Sequence, residues 1–259
     1  HESRSEAMNA WAGIILFGEA IGDKELRDLG IYLYTTEISA INNYWFDVDE
    51  DVLDDNYRYY GQKNVTEDSL PTYNQAAQVW GGKMDYATWW TAEPLQIQGI
   101  NLLPMNPASF YLAGNDEYIL ENWKIALERE ARIPADRLGD TYEEYTKRWN
   151  DVWSAYLALA NPDTAISYWQ PGADEEGGES RAHTYQYIYS LKEYGTPDTS
   201  VTSNAAMSAV FNKDGVKTYA VFNAGKAAKE GTFSDGIKVN AQPGQMTLLK
   251  GTDIEGVSA

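Results

Sequence analysis

Two carboxylates, Glu2 and Glu6, stand four residues apart in the opening run His1-Glu2-Ser3-Arg4-Ser5-Glu6, just ahead of an apolar stretch from Ala7 to Phe17. Residues at i and i+4 share a helix face. If a helix includes both acids, they look into one cleft. Carboxylates in an aromatic cleft are the equipment of glycoside hydrolysis, where one protonates the leaving oxygen and another activates water or attacks carbon. The same residues also fit a helix cap, Ser3 accepting from the backbone and Glu6 bonding back to it. From these residues alone both readings stand.

Further chemistry-bearing residues lie downstream. Lys83-Met84-Asp85-Tyr86-Ala87-Thr88-Trp89-Trp90 is the densest polar and aromatic cluster, and it reads as a loop between helices, where binding residues concentrate. Loop packing and sugar stacking are both open to it. His183 stands in Glu179-Ser180-Arg181-Ala182-His183-Thr184-Tyr185 near the start of a helix, with Tyr185 beside it. The chain has 2 His and no Cys. Disulfides and thiolate chemistry are therefore excluded, and neither a zinc cage nor a serine triad can be assembled. Asp47-Val48-Asp49-Glu50-Asp51 suggests a calcium loop, but Val52 and Arg58 stand where the EF-hand requires Gly and Glu. It reads instead as a solvated acidic loop or one lining a cleft, and no metal or cofactor is expected.

The charge narrows the partners. Lys+Arg 20 against Asp+Glu 39 gives a net charge of −19. That field repels phosphate backbones and anionic membranes, so nucleic-acid and membrane binding are not expected. A neutral substrate is not disfavoured, and 9 Trp and 19 Tyr provide rings for a core and for stacking on sugars. No apolar run is long enough to span a bilayer, and the N-terminus lacks the pattern of a signal peptide.

The elements that must position these residues are mainly helical. Apolar spacing predicts helices over 7–21, 24–46, 92–105, 115–131, 141–160 and 179–194. Polar loops are expected at 47–68, 132–140 and 170–178. Consecutive helical pairs joined by longer loops suit a toroid or bundle. After Pro197 the texture changes to short β-prone runs at 207–211, 218–223, 231–233, 237–239 and 246–249. Asp214-Gly215 and Asp235-Gly236 read as hairpin turns between them. The expected organisation is a helical unit over 1–200, a β-hairpin module over 201–251 and a tail over 252–259.

Taken in order, several of these segments resemble glycoside hydrolase family 81, the endo-β-1,3-glucanases or laminarinases. Glu2-Ser3-Arg4-Ser5-Glu6-Ala7 resembles the family's Glu-Ser-Ser-Ser-Glu-Ala signature, with Arg4 where Ser is usual. Tyr44-Trp45-Phe46-Asp47-Val48-Asp49, Asp85-Tyr86-Ala87-Thr88-Trp89, Gly99-Ile100-Asn101-Leu102-Leu103-Pro104 and Arg181-Ala182-His183-Thr184-Tyr185 resemble further family motifs. The closing Ala209–Gly215 and Thr232–Gly236 segments resemble its terminal hairpins. Trp90-Thr91-Ala92-Glu93-Pro94 departs from the family's Phe-Gly-Ala-Asn-Pro.

The resemblance implies a partial (α/α)6 toroid followed by a small antiparallel β module, the C-terminal portion of a larger secreted enzyme. It implies endo-hydrolysis of β-1,3-glucans with inversion, Glu2 acting as general base and Glu6 beside it, with a one-turn offset exchanging the roles. Asp85, Tyr86, Trp89, His183 and Tyr185 are then the substrate-binding candidates. The family's general acid belongs to an Asp-His-His-Phe-His-like segment, which does not occur in these residues. The chain by itself is thus expected to be inactive and to need an N-terminal half as partner. Without it, helix faces would be exposed and the chain marginally stable or prone to associate. The alternatives are a noncatalytic glucan-binding helical domain and, less in keeping with the acidity, a polysaccharide lyase.

Overall fold

A computed structural model describes residues 3–133, 148–172 and 175–253. Among the described residues the chain is mainly helical up to Tyr194 and closes in a small antiparallel β module. Helix α1 (Arg4–Ile21) and helix α2 (Lys24–Ala40) pack on each other, and a π-helical turn (Ile41–Trp45) continues α2. The close approach of α1 and α2 depends on Gly30, where a Cβ would stand 2.8 Å from Ile15. After a short α3 (Asp55–Arg58), strands β1 (Gln78–Trp80) and β2 (Lys83–Asp85) form a hairpin. Helices α4 (Pro94–Gly99), α5 (Asp116–Glu130), α6 (Asn150–Ala158), α7 (Pro162–Tyr168) and α8 (Arg181–Tyr194) follow among the described residues. The helical core joins Met8, Ile41, Trp45, Leu95, Leu102, Ile119, Trp153, Leu157 and Ile188, all fully buried or nearly so.

The β module has its own small core of Val210, Tyr219, Val221, Phe233 and Val239. Strands β3 (Thr196–Pro197), β4 (Ser208–Lys213), β5 (Val216–Phe222) and β8 (Met246–Lys250) form one sheet in the order β3-β4-β5-β8. Strands β6 (Lys229–Thr232) and β7 (Lys238–Ala241) form a second, two-stranded sheet. Lys213 pairs with Val216 across Asp214 (φ 53°) and Gly215 (φ 85°), the two left-handed residues of a tight hairpin turn. The module docks on the helices through Phe211, edge-on to Phe110 at 5.4 Å, and through a Lys229–Glu19 ion pair at 2.6 Å.

Several expectations are corrected. The helix expected over 92–105 is only Pro94–Gly99, because the chain turns at Asn101–Pro104 and Pro107 starts a 3₁₀ segment (Pro107–Leu112) capped by Asn106. The Lys83–Trp90 cluster is not all loop, since Gly81 and Gly82 turn β1 into β2. The helix expected over 24–46 ends in the π turn, and α7 lies where none was foreseen. The start of the helix expected over 141–160 falls outside the described residues. Among the described residues no helix is long and apolar enough to cross a membrane.

Candidate active site

Helix α1 begins at its cap. Ser3 is the N-cap, extended in backbone, and its Oγ accepts the Glu6 N–H at 3.3 Å. Ser5 is fully buried and donates to the Leu103 carbonyl. Asn9 donates to the Ser5 carbonyl at 2.8 Å and accepts from Asn106 at 2.6 Å. These bonds clamp one side of the first turn onto the 103–109 turn, while Glu6 stays exposed on the other. A first-turn carboxylate sits favourably at the positive end of the helix dipole. Glu2 lies outside the described residues. Because the helix starts at Arg4, helical spacing alone does not relate Glu2 to Glu6.

Arg4 holds this turn to α2. It donates to Glu37 at 2.6 Å and lies 4.0 Å over the ring of the buried Trp45. Asp47, two residues beyond Trp45, organises the acidic loop. Its carboxylate accepts the backbone N–H groups of Asp51 and Val52 at 2.9 Å and of Leu53 at 3.0 Å, and it pairs with the buried Arg58. Among the described residues no three His, Asp or Glu side chains are grouped to hold a metal ion.

Asp85 ends β2 and pairs with Lys83 at 2.7 Å. Tyr86 is held on all sides. Its hydroxyl donates to Gln98 at 2.7 Å, its ring meets that of Tyr73 at 4.3 Å, and the Arg129 guanidinium lies over both rings. Burial pushes its hydroxyl far above the ordinary tyrosine value. With its O–H donated to Gln98, Tyr86 has its ring, and no proton, to offer a ligand. Gln98 in turn bonds Asn122 at 2.8 Å, and Asn122 bonds Gln75 at 2.7 Å, a buried network that fixes this wall.

Trp89 is 82% exposed, the largest exposure of any large apolar side chain described, and Trp90 packs beside Trp149 at 5.6 Å. The base of this loop is ionic. Arg148 faces Glu93 at 3.1 Å and Glu130 at 3.4 Å, and Glu130 accepts the Leu95 N–H at 3.0 Å. Burial pushes the Glu130 carboxyl up to about 7. Gly99 lets Trp149 lie against α4, since a Cβ there would meet its ring at 2.9 Å. The sequence reading missed Glu93, Glu130 and Arg148, which are scattered along the chain. Glu93-Pro94, an acid before a helix-starting proline, was the only local signal.

His183 and Tyr185 lie in the first turns of α8, capped by Ser180. The His183 Nδ1 is 2.8 Å from Glu179 Oε2. Tyr185 is exposed, stacks on Tyr189 at 4.2 Å and stands 6.0 Å from Trp169. The structure thus joins Asp85 to Tyr86 on one wall and His183 to Tyr185 on one helix. No direct bond among the described residues links either set to Glu6.

Comparison with known proteins gives these elements a common context. The glycosyl hydrolase family 81 C-terminal domain model matches residues 1–177. A glucan endo-1,3-beta-D-glucosidase of Acetivibrio thermocellus is 40% identical over 98% of this chain, and one of Thermobifida fusca is 36% identical over 95%. A solved glycoside hydrolase family 81 structure from Clostridium thermocellum, a Glu-to-Ala mutant, superposes with a TM-score of 0.83 at 39% identity over 96% of the chain. The chain spans only 30% and 29% of the two curated relatives and 31% of the solved chain.

Proposed function

The chain belongs to glycosyl hydrolase family 81, and from that premise we propose that it is the C-terminal portion of an inverting endo-β-1,3-glucanase. The observation that supports this most is the clamped first turn of α1. The family's acidic signature sits there, with Glu6 exposed while Ser3, Ser5 and Asn9 are engaged in bonds that hold the turn. Glu2 is the general base that draws a proton from water, and Glu6 tunes that charge or positions substrate. Trp89 and Tyr185 offer exposed rings for stacking on glucose, His183 and Asp85 offer hydrogen bonds, and Tyr86 shapes the wall.

On this reading residues 1–200 are part of an α/α toroid, 201–251 its β appendage and 252–259 a tail. The substrate is a secreted enzyme's β-1,3-glucan. Inversion needs a general acid as well as a base, and the acid comes from sequence outside these residues. Its absence costs on the order of 10² to 10⁴ in rate. The test is reducing-sugar release from laminarin by this chain and by a longer protein with the family's preceding segment. Activity only in the longer protein, abolished by Glu2→Gln, is the expected result. Activity in neither would favour a noncatalytic glucan-binding domain, and activity in both would put the acid inside this chain.

A further inference from the structure

The N-terminal turn of α8 carries an arrangement that the glucanase reading alone does not explain. Glu179 lies just before the Ser180 cap, and its side chain is 7% exposed although it belongs to a polar loop. Its Oε2 meets His183 Nδ1 at 2.8 Å, whereas the His183 side chain keeps 39% of its surface exposed. A carboxylate is buried here so that it faces one ring nitrogen. The surroundings reinforce that direction. From α6 comes Asp151, a residue that is 3% exposed. Its Oδ2 accepts the Glu176 N–H at 3.0 Å, and its Oδ1 has no partner among the described residues. Burial, with the Glu179 charge nearby, raises the Asp151 carboxyl to about 6. Arg181 is engaged with Glu175 at 2.7 Å, and the Tyr187 ring stands 6.3 Å from the imidazole. Of the groups around Glu179, His183 is the one placed to receive its charge by a direct hydrogen bond.

We propose that Glu179 is a positioning residue, which holds His183 in the tautomer protonated at Nδ1 and presents Nε2 as an acceptor for a sugar hydroxyl. In a neutral imidazole one nitrogen donates and the other accepts, and the partner of the first fixes the role of the second. A carboxylate can only accept. The Nδ1–H therefore points at Glu179, and the lone pair is left on Nε2 of a side chain that keeps 39% of its surface exposed. The ring is held by the Glu179 bond and meets the buried Tyr187 edge-on, with centroids 6.3 Å apart. The second half of the proposal rests on the glucan reading given above. The first half does not.

The chain contains only His1 besides His183, so imidazole 15N resonances can be assigned without ambiguity. In the native chain at mildly alkaline pH, His183 is expected to show a protonated Nδ1 and an unprotonated Nε2. Glu179→Ala should return it to the Nε2–H tautomer usual for a free imidazole. Glu179→Gln, whose amide oxygen can still accept, should keep the native tautomer and serves as the folded control. An Nε2–H tautomer in the native chain, or no change in Glu179→Ala, would overturn the proposal. Laminari-oligosaccharide is then titrated into the native chain. Movement of the His183 Nε2 resonance, with roughly tenfold weaker binding in Glu179→Ala than in Glu179→Gln, is the expected result. Binding that moves other resonances and leaves Nε2 unmoved would overturn the acceptor role. The predicted tautomer with no binding anywhere would leave the positioning intact and count against the glucan reading.

Discussion

Arg4 bridges α1 to α2, and its removal tests how firmly the candidate catalytic turn is held. Arg4→Ala deletes two contacts. One is the charge-assisted bond to Glu37 at 2.6 Å, both side chains being 20% exposed. Solvent screening at that exposure discounts it to about 1 kcal/mol. The other is the guanidinium over Trp45 at 4.0 Å, whose ring is almost fully buried, for about another 1 kcal/mol. The expected loss is about 2 kcal/mol. In a chain of this size each 1 kcal/mol moves the melting temperature by about 2–4 °C, so a drop of roughly 4–8 °C is expected. Urea denaturation followed by tryptophan fluorescence, with Glu37→Ala and the double variant, separates the two parts. The coupling between Arg4 and Glu37 should be about 1 kcal/mol. Arg4→Lys should recover some of the ion pair and little of the planar stacking. Changes within about 0.5 kcal/mol for Arg4→Ala, with no coupling, would show that the turn is held by Ser5 and Asn9 alone.

Other consequences can be checked alongside. Asp47→Ala removes the buried partner of Arg58, leaving it the exposed Glu50 at 3.2 Å, and strips three backbone donors of their acceptor; it should cost about 3 kcal/mol, read from the same urea curves. Glu130 has its carboxyl raised from 4.5 to about 7 by burial, so the folded state keeps a proton that the unfolded chain releases. Its contribution is therefore fully present below pH 4.5 and lost as pH rises through about 7, a change of about 3 kcal/mol. Glu130→Gln should flatten stability measured between pH 5 and pH 8, and an unchanged slope would exclude this carboxyl as its source. Trp89→Ala, at a side chain 82% exposed, should alter stability by less than about 0.5 kcal/mol. It should nonetheless weaken laminari-oligosaccharide binding, as followed by tryptophan fluorescence.

Much of the fold was legible because its signals are local. Ser3 before an apolar run, Asn115 ahead of α5 and Ser180 ahead of α8 each cap a helix near the expected place, through bonds spanning three residues. Asp214-Gly215 makes the expected turn because both residues tolerate left-handed backbone. The helix expected over 92–105 failed for a nonlocal reason. Its apolar residues are buried whether or not they are helical, so Leu102 and Met105 in the following turn have the same pattern as Leu95 and Ile97 in α4. The β1–β2 hairpin was missed because three-residue strands carry too little alternation to register.

The sequence by itself determined the residue types, the charge and the order of motifs, and these were enough to point to the family. Tertiary structure alone decided what each candidate has left to offer. Tyr86 and Trp89 lie three residues apart in one motif. Yet Tyr86 is locked by Gln98, Tyr73 and Arg129, while Trp89 stands in solvent. Glu93, Glu130 and Arg148 meet only after the chain folds, as do Arg4, Glu37 and Trp45. Burial and charge pairing depend on neighbours distant in sequence, and no spacing rule along the chain encodes them.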